Sequence, residues 1–147
     1  MYKAQIYFHN EEVKYVLPDK IRIRKWILKT SESENRNVGD INIILTSDDY
    51  LYHLNVKHLN HDTLTDIITF DYSNENEISG DIFISLERVR ENAKEYNHST
   101  LDELHRVIMH GILHLVGYKD KTKPQKVTMR AKEDYYLSLL PKIMKNS

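Results

Sequence analysis

Residues 2–8 (YKAQIYF) alternate between apolar and polar side chains, which predicts a strand with two unlike faces. Pro18 and Asp19 then open a stretch in which Ile21, Trp26, Ile27 and Leu28 recur at an approximately helical period. The helix expected there also carries Lys20, Arg22, Arg24, Lys25 and Lys29. Polar residues 30–40 (TSESENRNVGD) read as a loop, and Ile41–Leu45 as a second strand. Ser47 offers an N-cap oxygen, and Asp48 and Asp49 place negative charge at the positive end of a helix expected over 47–58. Residues 66–72 (DIITFDY) and 80–85 (GDIFIS) predict two more strands, and the polar SNENEIS between them suits an antiparallel hairpin.

Leu86–Tyr96 forms a charged helical segment. Thr100 and Glu103 have the spacing of a capping box for a helix running to Val116, where Gly117 supplies the stop. Lys123–Leu140 closes the pattern as a last helix, bounded by Pro124 and Pro141. The predicted order is β-α-β-α-β-β-α-α-α, an α+β fold with a small mixed sheet and a single domain over residues 1–147.

The 147 residues are 40% hydrophobic and 29% charged, enough to hold a core without cross-links. Lys+Arg is 21 and Asp+Glu is 22, a formal net charge of −1, so any polyanion must be met by a local basic patch. There is no cysteine, which excludes disulfides, thiolate metal sites and a Cys nucleophile; a metal would have to be held by His, Asp or Glu. No apolar run approaches the ~20 residues of a membrane span. The cytoplasm is the expected compartment, with neither a membrane nor a nucleotide cofactor as partner.

The candidate chemistry lies at 105–120 (HRVIMHGILHLVGYKD). On a helix, His110 and His114 stand about 40° apart in azimuth and one turn apart in rise, so their imidazoles can converge on one cation. Leu101, Leu104, Ile108, Ile112 and Leu115 occupy the opposite side and serve the core. With 8 histidines in the chain, about 0.4 such pairs arise by chance, so the pair needs support. It comes from Gly117, which lets the chain turn back, and from Asp120, which falls where a third ligand must come from. The pattern H-x₃-H-x₂-G-x₂-D follows the zincin spacing, and three protein ligands leave a coordination position for water. Position 111 is Gly, where a zinc peptidase needs the Glu that serves as its base.

HGILHLVGYKD at 110–120 resembles the signature H-G-x-L-H-L-x-G-Y-D-H of the YbeY family, zinc-dependent endoribonucleases and rRNA maturation factors of bacteria. The block from Leu54 to Phe70 resembles the family's L-N-x₂-Y-R-G-x-D-x-P-T-D-V-L-S-F, and Gly80–Ser85 its G-D-I-x-I-S. These ordered blocks cover residues 40–120. The resemblance implies a four-stranded mixed sheet flanked by helices, with one Zn²⁺ held by His110, His114 and the occupant of position 120. It also implies single-strand-specific cleavage of rRNA precursors, maturation of the small-subunit rRNA 3′ end and ribosome quality control, with rRNA and the ribosome or a ribosomal protein as partners.

Two departures qualify the resemblance. The third ligand is usually His but is Asp120 here, beside Lys119 where Asp is usual; the extra negative charge makes a coordinated water less acidic and shifts preference toward harder metals. The family's phosphate-contacting Arg aligns with Leu59, and its Tyr and Pro with His58 and Leu64, leaving Lys57, His58 and His61 as substitute polar groups. Asp66 and Asp81 are candidates to orient a ligand histidine, or else turn and strand caps. Tyr118 is expected to pack, or to line the cleft. Phosphate contacts are sought in three basic clusters: Lys20–Lys29; Arg88, Arg90 and Lys94; and, preferred, Lys119, Lys121, Lys123 and Lys126. The leading expectation is a metal-dependent endoribonuclease with no side-chain base identified. The alternative is a non-catalytic ribosome-assembly factor, and Gly111 disfavours a peptidase.

Overall fold

Four alternating segments pair into one sheet: β1 (Gln5–Glu11), β2 (Asn37–Thr46), β3 (Ile67–Asp71) and β4 (Glu77–Ser85), in the spatial order β1-β2-β4-β3. The computed structural model describes residues 5–59 and 65–143, the side chains of 58 and 59 excepted. β1 runs parallel to β2 and β2 to β4, whereas β3 and β4 form the antiparallel hairpin expected from SNENEIS. The register sets Ile41 beside Gly80, Ile43 beside Ile82 and Leu45 beside Ile84, so one face of the sheet is almost wholly branched aliphatic.

Parallel neighbours need crossovers. α1 (Lys20–Ser33) connects β1 to β2, and α2 (Asp48–Leu59) followed by β3 connects β2 to β4. α3 (Leu86–Glu95), α4 (Thr100–Val116) and α5 (Lys123–Leu139) follow, and a 3₁₀ turn (Leu140–Lys142) takes in Pro141. α4 lies on the aliphatic face with Leu104, Ile108 and Ile112 fully buried. A Cβ at Gly111 would lie 2.8 Å from Cγ2 of Ile82 and 3.1 Å from Cδ1 of Ile67, so the missing side chain is what allows helix and sheet this approach. α2 covers part of the other face, where Tyr50 stacks on Phe83. Among the described residues no helix is long and apolar enough to cross a membrane.

Three local expectations are revised. In α1 the buried stripe is Ile23, Trp26, Ile27, Thr30 and Ser31, whereas Ile21 and Leu28 are exposed. Thr30 donates to the Trp26 carbonyl and Ser31 to the Arg36 carbonyl; satisfied hydroxyls behave as core groups, and the helix runs on to Ser33. β2 and β4 start earlier than expected because Asn37 and Val38 pair with Glu77 and Ile78 across a register irregularity, which the polar NVGD stretch conceals. α4 is capped by Ser99, whose hydroxyl accepts the Asp102 N–H, and not by Thr100. The Glu103 carboxylate is taken instead by His98, 2.7 Å away.

Candidate metal centre

His110 and His114 leave the same side of α4 one turn apart, their ring centroids separated by 4.6 Å. The helix ends at Gly117, whose φ of +123° is closed to ordinary side chains. Its N–H reaches the Leu113 and His114 carbonyls, and the Tyr118 N–H returns to the Leu113 carbonyl. That reversal brings Asp120 back over the imidazoles. Nε2 of His110 lies 3.0 Å from Nε2 of His114 and 3.1 Å from Oδ2 of Asp120, which is 3.4 Å from Nε2 of His114.

This triangle fits a cation on two grounds. Ligands about 2.0–2.1 Å from a tetrahedral ion stand roughly 3.3 Å from one another, close to the three separations found. The proton inventory agrees. Nδ1 of His110 lies 2.6 Å from Oε2 of Glu133, an acceptor, so Nδ1 carries the proton and a neutral ring turns a lone pair from Nε2 toward the triangle. A carboxylate oxygen also only accepts. His110, His114 and Asp120 therefore could hold a metal ion.

Glu133 comes from α5 and is buried. Its Oε1 accepts from Arg106 at 2.8 Å, and the same guanidinium reaches Asp134 at 2.7 Å, so the acid facing His110 is itself fixed and neutralised. Burial disfavours the imidazolium of His110, but the Glu133 hydrogen bond and the charges of Glu133, Asp120 and Asp66 outweigh it and push its pKa up. Burial and the neighbouring His110 push the pKa of His114 down.

Of the two acids expected to orient a histidine, Asp66 faces this cleft, its pKa raised by burial and further by Glu133 against the pull of His110. Asp81 points to the other sheet face, where it accepts from Asn42 at 3.0 Å, and His9 in turn lies 2.8 Å from Asn42. The orienting acid in contact with His110 is Glu133, which no local spacing in the sequence marks.

A family model described as Endoribonuclease YbeY matches residues 5–141. The chain belongs to this family. It is 50% identical over 130 residues to Endoribonuclease YbeY of Flavobacterium johnsoniae, covering 88% of this chain and 94% of that one. The Cytophaga hutchinsonii Endoribonuclease YbeY is 47% identical over 140 residues, covering 95% of this chain and 98% of the relative. A solution structure of a Thermotoga maritima protein superposes with a TM-score of 0.69 at 28% identity, over 92% of this chain and 89% of that chain. The YbeY membership and the mixed four-stranded sheet expected from the motifs both hold.

The YbeY site sits in an open cleft of about 820 Å³. Of the preferred basic cluster, Lys119 and Lys126 line it, and Arg130, outside that cluster, lies beside them. Members of the other clusters serve the fold. Arg22 donates to the Leu140 carbonyl, Arg24 to the Ile6 carbonyl, and Arg88 pairs with Asp48 and Glu91. Tyr118 both lines the cleft and packs against the core. Lys57 is exposed on α2, whereas the side chains of His58 and Leu59 and all of His61 and Leu64 lie outside the described residues.

Proposed function

We propose that the chain is a metal-dependent, single-strand-specific endoribonuclease of rRNA precursors, acting in small-subunit 3′-end maturation and ribosome quality control. Its expected partners are rRNA and the ribosome or a ribosomal protein in the cytoplasm, and residues 1–147 work as a single domain. The observation that carries the reading is the ligand triangle of His110, His114 and Asp120, set in a cation-rimmed cleft of a YbeY chain. Zinc is the proposed ion, and the Asp120 oxygen leaves room for harder metals. A divalent cation supplies Lewis-acid polarisation and activates water. Glu133 keeps the proton of His110 on Nδ1, and Lys119, Lys126 and Arg130 offer positive charge to phosphates.

A peptidase reading is disfavoured, since a Glu at 111 would meet Ile82 and Ile67 and not open cleft. The assembly-factor reading rests on Leu59 standing where the family has Arg. One experiment separates the two. Protein purified without added metal is assayed for bound metal and for cleavage of a single-stranded rRNA precursor, beside His110→Ala and Asp120→Ala. Metal-dependent cleavage that His110→Ala abolishes, with its circular dichroism unchanged, supports the nuclease. Ribosome co-sedimentation that persists in both variants, without cleavage by the wild type, supports the assembly factor.

A further inference from the structure

Position 34 is a poor place for a carboxylate. Glu34 is the C-cap of α1, where the helix dipole opposes negative charge, and its side chain is only 11% exposed. Three donors nevertheless converge on it. The Tyr118 hydroxyl donates to Oε1 at 2.8 Å, the Tyr136 hydroxyl donates to Oε2, and Nζ of Lys132 lies 3.2 Å from Oε2. The same ammonium lies 5.4 Å from the centre of the Tyr118 ring. Burial raises the Glu34 pKa, but the Tyr136, Tyr118 and Lys132 hydrogen bonds outweigh it and hold the carboxyl below its ordinary value.

Two residues on, Arg36 donates from Nη1 to the Val116 carbonyl at 2.9 Å and from Nη2 to the Asn74 carbonyl. Asn35 between them has a φ of 61°, the left-handed conformation that reverses the chain. One short turn thus grips the residue before Gly117 and the residue after it. Among the described residues a Cβ at Gly117 would meet nothing within 4 Å, so no side-chain packing there adds to the backbone hydrogen bonds of the turn.

We propose that the 34–36 turn is a clasp for the third metal ligand: by holding Val116 and Tyr118 on either side of Gly117, it fixes the course of the chain to Asp120 and keeps that carboxylate opposite the two imidazoles. A ligand carried on a loop must be ordered when the ion arrives, at an entropic cost set against affinity. The clasp meets that cost during folding. Glu34, Arg36 and Tyr118 are then positioning residues.

The inference rests on the reading that His110, His114 and Asp120 bind a metal, and its test separates the two. Tyr118→Phe removes one hydroxyl and leaves the ring packed; Glu34→Gln keeps the shape and removes the charge. Each is compared with wild type for Zn²⁺ affinity by chelator competition, for the visible spectrum of the Co²⁺-substituted protein, and for thermal unfolding without metal. Ser99→Ala, at the far end of α4, is the control for destabilisation alone. The expected result is affinity about 10–100-fold weaker in both clasp variants, with an altered Co²⁺ spectrum, while Ser99→Ala loses stability and keeps its affinity. Wild-type affinity and spectrum in a folded Tyr118→Phe overturn the clasp, and this variant decides if Glu34→Gln does not fold. Wild type that binds neither ion removes the metal reading, and the clasp falls with it.

Discussion

Glu133 shows what one buried acid does for a histidine and an arginine at once. It receives the Nδ1 proton of His110 at 2.6 Å and pairs with Arg106 at 2.8 Å, so its loss leaves a half-buried guanidinium short of a partner and an imidazole free to turn. Glu133→Ala is expected to destabilise the fold by about 3–5 kcal/mol in urea titration. Glu133→Gln, which keeps the shape, is expected to fold and to bind metal about 10–100-fold more weakly. A pH dependence follows from the raised pKa of His110. In the metal-free protein its extra proton stabilises the fold below the ordinary value of 6.5, and that contribution is lost as pH rises through the higher folded value. The metal competes with a proton for the ring, so affinity should climb over the same window. Thermal unfolding with chelator, set beside metal titrations from below 6.5 upward, should show the two trends opposed. Parallel trends would contradict this account of His110. The convergence of His110, His114 and Asp120 was legible in the sequence because the three are related by one helix and one glycine turn, a matter of local geometry. Glu133 and Glu34 were not, because α1 and α5 reach the site only through tertiary packing.

Helix α4 was predicted over its observed span, yet its cap and the function of its glycine were settled by neighbours. Thr100 and Glu103 had the right spacing for a capping box, but Ser99 one residue earlier took the Asp102 N–H and His98 took the Glu103 carboxylate. Ser99→Ala should therefore cost about 1 kcal/mol, and Thr100→Ala distinctly less, in chemical denaturation. Gly111 poses a sharper contrast. On propensity alone Gly111→Ala should strengthen a helix interior by about 1 kcal/mol. The added Cβ would stand 2.8 Å from Ile82, whose side chain is fully buried, so overpacking costing about 1–3 kcal/mol is expected to win. A more stable Gly111→Ala protein would show that the sheet yields at this point. The same distinction explains α1, where the apolar count favoured Ile21 and Leu28 while Thr30 and Ser31 entered the core with their hydroxyls satisfied. Periodicity gave the elements; which face each one buries depended on partners far along the chain.

A net charge of −1 does not exclude a polyanion partner when the positive groups are divided between two tasks. Arg22, Arg24 and Arg88 are committed to carbonyls and carboxylates within the fold, and Arg24 also lies over the Phe8 ring at 5.1 Å. Lys119, Lys126 and Arg130 instead rim the cleft that holds the histidine pair. Among the described residues Arg130 has a long pairing of 4.0 Å with Glu133, and its side chain is 62% exposed, which leaves it available to an incoming phosphate. The sequence favours the cluster next to Asp120, but which of its members reach the cleft, and that Arg130 joins them, depends on how α5 packs. This partition makes a quantitative prediction for binding of single-stranded RNA. Each phosphate contact contributes roughly 0.7 to the slope of log affinity against log salt, so Lys126→Ala and Arg130→Ala should each flatten that slope by about this amount and leave metal affinity unchanged. Arg24→Ala should lower thermal stability and leave the slope alone. A slope that responds to Arg24→Ala but not to the cleft variants would move the RNA path away from the histidine cleft and onto α1.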